Sequence, residues 1–465
     1  MASTNCWRCL ARPSQRLLPA SVSVSVSAPS AAFSTSTQQL ARPSEMTRHI
    51  RAGKQLTLGS KKRTPDKTKP PQHGERKAFR KRIQLSNDNA LEVPGLDVLS
   101  PENVVDPDAV GRIMGIPAEV IDKLRACEAF KSSQNWSLFR APHMLLRKET
   151  VDLAKQMTGA IENKETLRLV VTGNRGSGKS ILGLQALTTG ILNNWVVINI
   201  PEGQELTTAA TEYAVVPNSD VFSLPVYTVK LMQAIYQTSS HVLSRHKVQL
   251  DHMHLPISVT RSMTLAGLLS ATKEPDFAPP VFQAFWKELL LPGRPPILFA
   301  LDGLAHIMRI SAYRSPAFEP IHSHDLSIVR MFADALGGKT TFPNGAAILG
   351  ITAKGNAPIM PSMEKAIAQA AATQKGEAIP ARDPYYRKYD ERVFDSLRGV
   401  KVLDVQGVSR PEARALMEYW AASGILRSRV DEKTVAEKWT LAGGGVLAEM
   451  ERVVLDDLRS TGTML

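Results

Sequence analysis

At 465 residues the chain is too long for one average core, and 43% hydrophobic with 22% charged residues is the make-up of a soluble globular protein, so two packed units plus extensions are expected. No uninterrupted apolar run approaches the ~20 residues that a spanning helix needs, which excludes a membrane span. The net charge of +13 is localised: residues 48 to 82 set thirteen lysines and arginines against Asp66 and Glu75, a surplus of +11, and the chain from residue 83 onward is near neutral.

Residues 1–44 contain no Asp or Glu, carry spaced arginines, and run through a Ser/Ala/Val-rich stretch ending "SAAFSTSTQQL". That composition is expected of a transit peptide addressed to the mitochondrial matrix. Cys6 and Cys9 have CxxC spacing but fall inside this leader, with no second Cys or His pair nearby, so no metal or redox role is assigned. Cys127 is the one remaining cysteine, which fits a reducing compartment.

Residues 45–82 form a basic arm with almost nothing apolar to pack and a Pro-Pro pair that blocks regular structure. Phe79 among Arg76, Lys77, Arg80 and Lys81 suits a phosphate backbone, and nucleic acid is the expected partner. Anionic lipid is disfavoured because the arm has one aromatic residue and no amphipathic repeat.

Residues 83–150 read as a helical lead-in, with apolar residues at helical spacing between proline breaks. A nucleotide-binding domain follows over 151–395. Its buried strands are "TLRLVVTG", "NWVVINIP", "PPILFALDG" and "GAAILGIT", separated by helical patterns, which implies an α/β domain with a mainly parallel sheet covered on both faces. Two stretches, 207–220 and 360–384, read as flexible insertions. Residues 396–465 read as a smaller helical lid, opened by a capping box at Ser409 and Glu412 with Ala413, Leu416, Met417 and Trp420 on one face.

The segment Gly173-Asn174-Arg175-Gly176-Ser177-Gly178-Lys179-Ser180 matches G-x-x-x-x-G-K-[ST], between a strand and a helix that continues through Ile181. Glycines permit the tight loop, the helix N-terminus aims N–H groups at an anion, Lys179 meets the terminal phosphates, and the Ser180 hydroxyl suits Mg²⁺. Asp302 ends the third strand, where the second metal-site carboxylate is expected. The next residue is Gly303, in the position where ATP-burning engines of this class place a Glu to polarise water. Losing a positioned base typically costs ~10²–10⁴ in rate, so turnover is expected to be slow or negligible. Glu202 at the end of the second strand is a substitute base or an exposed loop residue. Thr352 is a sensor of the terminal phosphate or part of a polar turn. No Asn-Lys-x-Asp guanine reader ends any strand, so these residues leave GTP and ATP both open. "DPYYRKYDERV" at 383–393 interleaves tyrosines and cations and suits either RNA stacking or packing against the core.

The acid-free leader, the basic arm, "GNRGSGKS", "ILFALDG", "HSHDLSIVRMF" and the C-terminal "SRPEARALMEYWAASGIL…WTLAGGGVLAEMER" together resemble the death-associated protein 3 family, the GTP-binding proteins of the mitochondrial ribosomal small subunit, in a fungal-type member. The resemblance implies an AAA-like P-loop NTPase fold and a bound GTP or GDP that is mainly structural. It implies partners in the small-subunit rRNA and in other ribosomal proteins of the small-subunit head. Carried over by motif, Gly173 to Ile181 hold the nucleotide, with Ser180 and Asp302 holding Mg²⁺ and no residue assigned a catalytic role. The competing expectation is an active mitochondrial P-loop ATPase that remodels protein or nucleic acid, which requires a working base and an arginine supplied by a neighbour.

Overall fold

The computed structural model describes residues 83–217 and 219–460, so the leader and the basic arm lie outside the described residues. After residues 83–112, which hold a short 3-10 turn (Pro107–Ala109), come β1 (Ile113–Gly115), α1 (Ala118–Ala126), β2 (His143–Leu145) and α2 (Lys148–Glu162). The lead-in is therefore not purely helical: β1 and β2 pair antiparallel. Three-residue strands are too short to show a period of two in the sequence.

The sheet domain follows with β3 (Thr166–Gly173), α3 (Lys179–Leu192), β4 (Val196–Ile200) and α4 (Gly203–Thr207). After the small pair β5 (Ala214–Val215) and β6 (Phe222–Ser223) come α5 (Pro225–Leu243), α6 (Leu265–Ser270) and α7 (Ala278–Leu289). Next are β7 (Ile297–Asp302), α8 (Leu304–Ile307), the hairpin β8 (Ile310–Arg314) and β9 (Pro320–His322), α9 (Ser327–Gly337) and β10 (Ala346–Ile351). The domain closes with α10 (Pro361–Lys375), α11 (Glu391–Ser396) and β11 (Lys401–Val405).

The five long strands form a parallel sheet in the order β11-β3-β10-β7-β4. Side chains alternate between its faces as the strand period demands. Ile297, Phe299 and Leu301 of β7 enter the core built by α5, α6, α7 and α9, whereas Leu298 and Ala300 enter the core built by α1, α2 and α3. Phe285, Phe299 and Phe332 are fully buried on the first face, each worth roughly 1.5–3 kcal/mol of apolar burial. Burial on both faces is why these strands read as continuous apolar runs.

Two expected boundaries shift. Residues 401–405, assigned to the lid by sequence, are the fifth strand of the sheet, so the lid begins at Ser409. The edge position of β11 leaves Lys401 and Asp404 exposed, which interrupts the apolar pattern that marks the inner strands. The 360–384 stretch is largely the helix α10, which buries Met363, Ala366 and Ile367.

The lid consists of α12 (Arg410–Ala422), α13 (Glu432–Leu441) and α14 (Leu447–Ser460). Its start is the capping box expected from sequence, with Ser409 accepting from the Glu412 amide and the Glu412 side chain accepting from the Ser409 amide. The lid core of Leu416, Met417, Trp420 and Val435 also takes in Phe139 and Leu145 from the lead-in. Lead-in and lid thus share one apolar cluster, and both border the end of the sheet where β3 stops.

Candidate nucleotide site

The carboxyl ends of the inner strands align. Ile351 of β10 lies opposite Val171 of β3 on one side and Asp302 of β7 on the other. In open α/β sheets, ligands bind in the crevice outside these strand ends.

The loop after β3 is held from three sides. Gly173 has φ +144°, and a Cβ there would collide with the carbonyl oxygen of Val405 on β11. Gly176 has φ +77°, and a Cβ would stand 2.8 Å from the Ala448 Cβ of the lid. The Gly176 carbonyl accepts a hydrogen bond from the Ala448 amide at 3.1 Å, so lid helix α14 clasps the loop directly. From below, the buried Arg147 guanidinium donates to the carbonyl of Ser177 at 2.9 Å and to the carbonyl of Gln406 at 2.7 Å, with Glu149 at 3.1 Å.

Lys179 and Ser180 open α3, whose first-turn amides have no intrahelical acceptor. The Lys179 ammonium donates to the carbonyls of Gly173 at 3.0 Å and Asn174 at 2.5 Å. Burial pushes its pKa below the usual lysine value, Lys354 pushes the same way, and Asp302 and Asp404 oppose them. A polyanion arriving here would relieve that strain on the charge. Asn174 and Arg175 are exposed at the tip, Ile181 packs partly against the core, and the buried Ser177 hydroxyl has no hydrogen-bond partner.

Asp302 is 6% exposed, and its Oδ2 accepts from the Ser180 hydroxyl at 2.7 Å. The structure therefore brings together residues that stand 122 positions apart and that sequence alone paired. Sequence reasoning missed Lys131, whose ammonium bonds the same Asp302 oxygen. It lies in the polar stretch "FKSSQN", which matches no motif. Arg147 was missed for the same reason.

The other expected residues have these positions. Gly303 has φ +84° and starts α8, so the position after Asp302 is a turn that favours glycine. Glu202 is exposed at the start of α4, beside a cavity of about 370 Å³ also lined by Phe130, Lys131 and Ser133. The Thr352 hydroxyl is engaged by the Val171 carbonyl at 3.0 Å. Of the lid arginines open to the role an active ATPase would need, Arg414 pairs with Glu418 and Glu432, and Arg410 lies over Trp439. Tyr385 is 92% exposed, while Tyr386 and Tyr389 contact each other edge to face outside any helix.

The family model of the mitochondrial ribosomal death-associated protein 3 matches residues 144–453. A Neurospora crassa protein, "Small ribosomal subunit protein mS29", is 49% identical over 98% of this chain and 99% of its own length. This chain belongs to the mitochondrial ribosomal death-associated protein 3 family. The protein of the same name from Schizosaccharomyces pombe is 22% identical over 77% of this chain and 74% of its own. A solved structure of the Aeropyrum pernix ORC1 protein in complex with DNA aligns at a TM-score of 0.30, with 14% identity, over 68% of this chain and 60% of that one. The family match takes in the loop, Asp302 and the lid as far as the middle of α14, whereas Lys131 precedes it. Membership places the protein in the mitochondrion, in agreement with the address expected from the leader. Among the described residues, no helix is long and apolar enough to cross a membrane.

Proposed function

We propose that this family member is a structural component of the mitochondrial small ribosomal subunit, in which a bound purine nucleotide, GTP or GDP, ties the sheet domain to its lid. The observation that carries the reading is the clasped loop: one glycine-rich turn contacts β11, the lid helix α14 and Arg147 at once. A ligand seated there would bear on all three. The ribosomal part is supported by the family and by the two fungal relatives, which are named as small-subunit proteins. Guanine over adenine rests on the family resemblance, and ATP is the alternative base.

The residues fit the ligand. Lys179 and the amides opening α3 would receive the phosphates, and the unpartnered Ser177 hydroxyl lies in the same loop. Ser180 Oγ and Asp302 Oδ2, 2.7 Å apart, would hold Mg²⁺, whose oxygen ligands lie ~2.1 Å from the ion. When bound, that ion would neutralise phosphate charge. Gly303 favours a holder over a burner, because no carboxylate follows Asp302. The arm at 45–82 would contact rRNA through its charge, and neighbouring ribosomal proteins of the head complete the partner set.

The reading is tested by denaturing the purified protein and chromatographing the nucleotide released, then measuring turnover. Stoichiometric guanine nucleotide with negligible turnover supports it. Steady hydrolysis abolished by Asp302→Ala replaces it with the remodelling ATPase.

A further inference from the structure

The position of Lys131 goes beyond what the phosphate loop requires and rests on the nucleotide reading above. Its ammonium bonds Asp302 Oδ2, the oxygen that also accepts from Ser180. Two donors on one carboxylate oxygen, one of them charged, place a cation next to the pair of oxygens that would hold a divalent ion. The lysine side chain is 27% exposed and the aspartate 8%, so the pair is screened from bulk water on the aspartate side and open on the lysine side.

The lysine is delivered from fixed backbone. On one side Phe130 is buried in the core with Leu182 and Leu184 and meets Trp136 edge to face at 5.6 Å. On the other, residues 131–134 close a turn. The Lys131 amide donates to the Gln134 side chain at 2.9 Å, and the Gln134 amide donates to the Lys131 carbonyl at 3.1 Å. The Trp136 indole donates to that same Gln134 oxygen at 2.8 Å. A surface lysine that met Asp302 by accident would not need its flanks tied down in this way.

The charge balance points the same way. Lys179 feels the charges of Lys354, Asp302 and Asp404, and Lys131 bonds Asp302, so three lysines are set against two aspartates around the loop. Oxyanions of a terminal phosphate entering beside α3 would find Lys179 on one side and Lys131 on the other, against the negative charge of Asp302 and Asp404.

We infer that Lys131 is a built-in cation of the nucleotide site, standing beside Asp302 so that the chain retains GDP or GTP without a divalent metal. Mg²⁺ still has its ligands, but it shares Asp302 with the lysine and adds little. This suits a nucleotide kept as a fixture, since one whose retention depended on Mg²⁺ would be released whenever the free metal fell.

The test is equilibrium binding of fluorescent GDP and GTP to the wild type, Lys131→Met and Lys131→Arg, each in Mg²⁺ and in EDTA, with melting curves to show that each variant is folded. The wild type is expected to lose less than about threefold in affinity on going from Mg²⁺ to EDTA. Lys131→Met is expected to lose about tenfold or more, the lower end of what one charge-assisted contact contributes, and Lys131→Arg to follow the wild type. Equal losses for the wild type and Lys131→Met, large or small, overturn the inference and leave the nucleotide reading standing. A folded wild type that binds neither nucleotide in either buffer overturns both.

Discussion

Arg147 makes the loop depend on parts of the chain that are far apart in sequence, and its removal has a calculable cost. Arg147 is 6% exposed, and its guanidinium bridges the Ser177 carbonyl of the loop to the Gln406 carbonyl between β11 and the lid. Hydrogen bonds to a charged group are worth roughly 1.5–3 kcal/mol each, and Arg147→Ala strands two carbonyls while opening a hole. The expected loss is about 3–5 kcal/mol, a large share of the 5–15 kcal/mol that holds a typical domain together. Arg147→Lys should recover less than half, because one ammonium does not span both carbonyls as the planar fork does. Urea unfolding gives the magnitude, and amide hydrogen exchange gives the location: protection should fall at residues 173–180 before it falls in β7. A variant within about 1 kcal/mol of wild type, with unchanged exchange in the loop, refutes the bracing role.

Gly176→Val should strain a backbone at φ +77° and drive a branched side chain into Ala448 and Val446, separating lid from loop. A drop in the calorimetric midpoint together with loss of nucleotide is expected, and an unchanged midpoint argues against the clasp. Burial pushes the His143 pKa down to about 4, and burial with His322 pushes His324 down to about 3. Both are held neutral in the fold and protonate more readily on unfolding, so stability is full above pH ~6.5 and falls as pH drops toward these values. His143 alone accounts for about 3 kcal/mol as an upper bound. His143→Phe, which keeps a ring edge-on to Phe139 and tilted over Tyr419, should lose less stability than wild type between pH 7 and pH 5 in urea titrations. An identical loss in both removes His143 from the account.

The inner strands were legible because burial on both faces writes them as apolar runs, and the loop because its glycines and Lys179 occupy fixed spacing. Asp302 followed from strand order. The edge strand β11 escaped notice because the exposed Lys401 and Asp404 break its apolar run. Helix α10 hid in an Ala/Gln/Lys composition whose buried side is only a few small and apolar residues. Lys131 and Arg147 were illegible for a different reason. Their roles exist only once the lead-in folds back over the sheet, and no local pattern marks a cation for a partner 171 or 259 positions away. The lid and the lead-in likewise looked like separate helical pieces, although Phe139 and Leu145 belong to the lid core.

The central claim, a nucleotide holder built into the small subunit, is tested most directly by sedimenting the endogenous protein from a mitochondrial lysate, first in Mg²⁺ and then in EDTA with high salt. The account predicts that it travels with the small subunit in Mg²⁺ and leaves that position only as the particle itself comes apart. Migration in Mg²⁺ as a free species or as a ring-sized oligomer would contradict it.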